Sequence, residues 1–125
     1  MTDSRRKVLW GLQILVALVL TFPMGWVPKL LSQPEVLANF ERWGYPAGFH
    51  YLVGAGELAA AALLLIPRTA LFGALLAVAI MLGAIGTHLL NGELAFAPIP
   101  AVVLGLAGYV ALARWRERQG APQAA

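Results

Sequence analysis

Cysteine is absent from the 125-residue chain, which excludes thiol–disulfide exchange within it and removes the thiolate ligands that soft-metal sites use. Charge is scarce: Asp, Glu, Lys and Arg make up 12% of the residues, with six acids in all. Serine occurs only at Ser4 and Ser32, so the apolar runs offer no nucleophile for a triad hydrolase. Those runs also lack the alternation of polar and apolar residues that membrane strands require.

What is present is hydrocarbon. The chain is 60% hydrophobic with a mean hydropathy of +0.75, more apolar surface than a soluble domain of this size can bury. Four runs stand out, at about 8–31, 46–66, 69–90 and 96–114, each near the roughly 20 residues that cross a bilayer as a helix. The expected architecture is an all-α membrane protein, an antiparallel bundle of four transmembrane helices over residues 8–114. Residues 1–7 form a polar lead and residues 115–125 a tail, whose Gln, Gly, Ala and Pro after Arg118 predict disorder.

A net charge of +3 could point to nucleic acid, but the positions of the charges point to topology. Arg5, Arg6, Lys7, Arg68, Arg114, Arg116 and Arg118 all fall on one side of such a bundle, leaving only Lys29 and Arg42 on the other. The positive-inside rule then puts both termini in the cytoplasm, with the lipid bilayer as the partner and no nucleic acid. Ser4-Arg5-Arg6-Lys7 resembles a twin-arginine export signal. The long run behind it has no small-residue cleavage site and three more runs follow, so an uncleaved span is the better reading.

Span one is expected from Val8 to about Val27, bent at Pro23, with Trp26 and a snorkelling Lys29 at its outer end. Ser32 with Glu35 three residues on has the form of a capping box, and Pro34 sits in a first turn. Val36, Leu37, Phe40 and Trp43 then fall on one side, predicting a short amphipathic helix on the outer membrane surface between spans one and two. Pro46 opens span two. Pro67-Arg68-Thr69 forces spans two and three to be antiparallel neighbours, Asn91-Gly92 ends span three, and Pro98 and Pro100 lie in the first turns of span four.

The run His50–Ile66 carries one carboxylate, Glu57. An acid in hydrocarbon needs a partner, a proton or a use. His50, Val53, Gly54, Glu57, Ala60, Ala61 and Leu64 recur at helical spacing and share one face. Span three carries a matching small-residue stripe, Ala74, Ala77, Met81, Ala84 and His88, that would let the two backbones approach. Topology then places Lys29, His50, His88, Asn91 and Glu93 toward the outer face, above a deeper Glu57. Lys29, His50, Glu57, His88 and Asn91 are therefore the candidate ligand-binding residues. Glu57 and His88 are the candidates for chemistry, with Glu57 otherwise paired internally to Lys29 or His88. Two histidines could ligate a haem, and His50, His88 and Glu57 a metal, but no motif supports either, and no metal site is assigned.

Gly25-Trp26-Val27-Pro28-Lys29-Leu30, Gly44-Tyr45-Pro46, Gly54-Ala55-Gly56-Glu57-Leu58, Leu64-Leu65-Ile66-Pro67-Arg68-Thr69-Ala70 and Met81 through His88-Leu89-Leu90-Asn91-Gly92 together resemble the DoxX-like family of small bacterial four-helix membrane proteins. The resemblance implies a bundle in the cytoplasmic membrane and a link to thiosulfate:quinone redox chemistry, and it places recurrent polar positions at Lys29, Glu57, His88 and Asn91. The expected function is an outer-facing polar cavity for a quinone-like molecule, working with a redox partner. The alternative is a non-enzymatic accessory or assembly subunit of a membrane complex. A small transporter, whose path would need a homodimer, ranks third.

Overall fold

The structure, a computed structural model, describes the backbone of residues 2–124 and the side chains of residues 2–120. The described residues form six helices and no strand, with 76% of the chain helical. These are α1 (Asp3–Val19), α2 (Trp26–Leu30), α3 (Pro34–Arg42), α4 (Phe49–Leu64), α5 (Ala70–Leu90) and α6 (Pro98–Ala124). Helices α1, α4, α5 and α6 pack in a closed ring, each on the next, with α2 and α3 laid against α4. Two helices, Ala70–Leu90 and Pro98–Gly120, are long and apolar enough to cross a membrane, and Phe49–Leu64 is a shorter apolar helix.

The core is made of small residues. Ala60, Ala74, Ala77 and Ala107 are buried, among Val16, Leu20, Leu64 and Val110. Large side chains point outward instead, with Leu52, Leu82 and Val102 more than half exposed. An inside of alanine and an outside of leucine suit a bundle whose solvent is hydrocarbon. The α4–α5 seam is tight. A Cβ on Gly73 would stand 2.7 Å from Leu64 N and 2.8 Å from Ala60 O, both backbone atoms of α4.

Span one departs from expectation. It is no continuous helix bent at Pro23: α1 stops at Val19, and the chain turns through Leu20–Gly25 before α2 begins. Pro23 offers no N–H to a helix ladder, and the turn is so close that a Cβ on Gly25 would run into the Leu20 carbonyl. The break supplies its own bonds. Trp26 N–H reaches Leu20 O at 2.8 Å, Thr21 Oγ1 donates to Ala17 O, and Trp26 Nε1 donates to Thr21 Oγ1.

Three other boundaries move. Pro46 precedes α4 rather than opening it, since Gly48, at φ +88°, caps a helix that starts at Phe49. Helix α6 runs past Arg118 to Ala124, against the disorder predicted there. Ser32 does not cap α3, whose cap is Gln33 with no side-chain bond. Ser32 lies at φ +50° and ends α2. There Ser32 N–H bonds Lys29 O and Gln33 N–H bonds Pro28 O, both at 3.1 Å, the double C-terminal closure that usually uses glycine.

One fully buried amide ties the ring together. Gln13 on α1 donates to Leu64 O at the end of α4 (2.8 Å) and accepts from Arg114 Nε on α6 (2.7 Å). Neither residue stood out in the sequence beyond Arg114 as a topology signal. Gln13→Leu keeps the volume but strands a buried carbonyl and a guanidinium N–H, a loss of about 2 kcal/mol, read by denaturant unfolding in detergent; an unchanged midpoint would show that the two groups find other partners.

Candidate functional site

The candidate residues fall into three places, two of them on the surface of α4. Helix α2 lies on α4 where Gly54 leaves room: a Cβ there would come within 2.9 Å of Lys29 Cβ and 3.1 Å of Leu30 Cδ2. That approach turns Lys29 inward, and Nζ stands 2.8 Å from Glu57 Oε1. The lysine does not snorkel. The two side chains are only 12% and 5% exposed. The contact is one of charge rather than a directed hydrogen bond, because Oε1 has no aligned donor among the described residues. Lys29 Nζ donates instead to the Met24 carbonyl, with Gly25 O a longer 3.5 Å away. Geometry rules here, since hydrogen bonds weaken steeply off-axis while Coulomb attraction does not.

The left-handed turn at Ser32 carries the second group. Ser32 Oγ lies 2.9 Å from His50 Nε2 and 2.6 Å from Tyr51 Oη. His50 is buried against Phe40 of α3 and the Tyr51 ring, while Tyr51 itself reaches the surface. This trio sits at the start of α4, about two helical turns from Glu57.

The third group surrounds Glu93. Gly92, at φ +69°, closes α5 with the same double bond pattern, Gly92 N–H to Leu89 O and Glu93 N–H to His88 O. That closure folds Glu93 back onto His88, whose Nδ1 donates to Oε1 at 3.0 Å. Trp43 Nε1 donates to the same oxygen at 2.9 Å, and Arg42 Nη2 to Oε2 at 2.7 Å. Asn91 is occupied locally, donating to Thr87 O.

His88 therefore meets Glu93, whereas Lys29 meets Glu57. The polar residues expected to converge on one funnel are divided among these groups, and among the described residues no three of His, Cys, Asp and Glu stand close enough to hold a metal ion. Glu93 was seen in the sequence only as an outer-face residue. Its signal was positional: in His88-Leu89-Leu90-Asn91-Gly92-Glu93 the glycine closure sets residue six against residue one.

The His88 hydrogen bond, with those from Trp43 and Arg42, lowers the Glu93 carboxyl from 4.5 to about 2. A lowered folded-state value stabilises above the unfolded value and is lost as pH falls through the folded one. Acidification from pH 4.5 to 2 should therefore release α3 from the end of α5, visible as a change in indole fluorescence. Glu93→Gln should flatten that titration; a curve identical to wild type would assign it elsewhere.

Beside α2, the lower half of α4 and α1 frame an apolar groove of about 350 Å³, bordered by Ile14, Leu18, Thr21, Trp26, Leu58 and Leu65. Neither Lys29 nor Glu57 lines the groove, which shares only the helices α2 and α4 with the pair; a buried ion pair and an apolar groove are the two kinds of feature that hold a small molecule with one oxygen-bearing end.

Comparison with curated proteins and with solved structures gave no match. The DoxX-like family model matches residues 11–110, a range that takes in the α2–α4 seam, all of α5 and parts of α1 and α6, and the chain belongs to that family.

Proposed function

We propose that the protein is a four-span integral protein of the bacterial cytoplasmic membrane, both termini inside, whose α2–α4 seam binds a small amphipathic molecule of the quinone class. The single observation that carries this is the Lys29–Glu57 pair. A buried ion pair adds little net stability and is matched or beaten by apolar residues of the same volume, so keeping one in hydrocarbon points to use. In this reading Lys29 donates to a carbonyl oxygen of the ligand head and Glu57 exchanges a proton with it. The tail lies in the α1–α4 groove. Ser32, His50 and Tyr51 form a separate polar group at the start of α4. Electrons come from a redox partner in the membrane, because the chain has no cysteine and no cofactor motif.

The second reading, an accessory subunit without a ligand, is favoured by one fact: Lys29, His50, His88 and Asn91 all bond within the chain. Solvent extraction of the detergent-purified protein separates the two. Quinone that co-purifies with wild type and is lost in Glu57→Gln supports the site. An empty extract, with quinone affinity equal in both proteins, leaves the accessory role standing.

A further inference from the structure

At the opposite end from Glu93, the α4–α5 turn meets α6 around a pocket of about 220 Å³ lined by Pro67, Arg68, Leu71, Arg114, Glu117 and Arg118. Three guanidinium groups face one carboxylate there, an excess of two positive charges. Glu117 is already held by Arg114 Nη1 at 2.9 Å. Arg118 lies over the Phe72 ring and donates one N–H to Arg68 O, which fixes its plane. The Arg68 side chain makes no hydrogen bond or ion pair among the described residues, and it is exposed. Arg114, with its side chain 8% exposed, has a shielded Nη2 without an acceptor among the described residues.

We infer that this pocket binds a phosphate group. The fork of a guanidinium matches two oxygens of a tetrahedral anion, and several forks around one small cavity suit phosphate better than a lone carboxylate. A buried Nη2 without an acceptor is a standing penalty that an anion nearby would relieve. Placement adds to this. The pocket lies where two apolar helices end, and the half-exposed Trp115 follows Arg114 on α6, as expected at the level where lipid headgroups sit. The phosphate therefore belongs either to an anionic lipid or to a soluble phosphate ester, and the chemistry of capture is the same. This site is independent of the α2–α4 seam.

Native mass spectrometry and thermal unfolding of the intact detergent-solubilised protein test it, with phosphatidylglycerol, phosphatidylcholine and inorganic phosphate as probes. The pocket variant is Arg68→Gln/Arg118→Gln, which spares Arg114 and its buried bonds. Its control, Arg5→Gln/Arg6→Gln, removes the same charge from the exposed start of α1. Retention of phosphatidylglycerol over phosphatidylcholine, weakened about tenfold or more only in the pocket variant, assigns an anionic lipid. A rise in unfolding temperature with inorganic phosphate, absent in the pocket variant and without lipid preference, assigns a soluble phosphate. Equal losses in the two double variants, or no binding of either probe, overturn the proposal.

Discussion

Lys29→Met should cost the folded protein about 3 kcal/mol at pH 7 in detergent, measured by reversible denaturant unfolding. Removing the ammonium leaves the Glu57 carboxylate 5% exposed with no compensating charge, and orphaned buried ions cost several kcal/mol. The loss has a ceiling, because the acid can take up a proton. Protonating an acid of ordinary solution strength costs about 3.7 kcal/mol at pH 7 and about 1 kcal/mol at pH 5. The deficit should therefore shrink as the pH drops, a signature that lost packing alone would not give. Adding Glu57→Leu to Lys29→Met should recover most of the stability, since an apolar pair replaces an ionic one. A single variant as stable as wild type at pH 7 would mean that the pair is not formed.

Gly73→Val is the second large effect, at about 3 kcal/mol, with Gly73→Ala about half as severe. The added Cβ would meet Leu64 N at 2.7 Å and Ala60 O at 2.8 Å. Both belong to the α4 backbone, which cannot rotate away as a side chain would. Helix propensity pulls the other way by up to about 1 kcal/mol, so the same helix carries its own control. Gly83 has nothing within 4 Å of an added Cβ, and Gly83→Ala should stabilise by several tenths of a kcal/mol. If both alanine variants moved the midpoint in the same direction, the close α4–α5 approach would be wrong.

Spacing made much of this legible beforehand. The stripe His50, Gly54, Glu57, Ala60, Ala61 and Leu64 is the buried face of α4, and Ala74, Ala77 and Met81 are buried on α5, because helical periodicity is written directly into residue order. The amphipathic segment after span one is α3, seated on Val36 and Phe40. Lys29 was one of two partners considered for Glu57. Which partner it takes depends on the break at Leu20–Gly25, a turn held by Thr21, Trp26 and backbone bonds that no periodicity reports. The same is true of Ser32. Its left-handed conformation converts an apparent helix cap into a contact with His50 and Tyr51. Gln13 and Arg114 lay in plain view as polar residues in apolar runs, but they lie 101 positions apart, and only the closed ring makes them neighbours.

That span has a consequence for how the chain is made. Helix α1 leaves the ribosome before α4 and α6, yet its buried amide reaches its acceptor on α4 51 positions later and its donor on α6 101 positions later. The α4–α5 and α5–α6 hairpins join neighbours in sequence and can zip up as they emerge, whereas α1 must wait at the edge of the growing assembly. A helix made ahead of its partners is thus clasped after they have paired, and the clasp fastens only when Arg114 arrives.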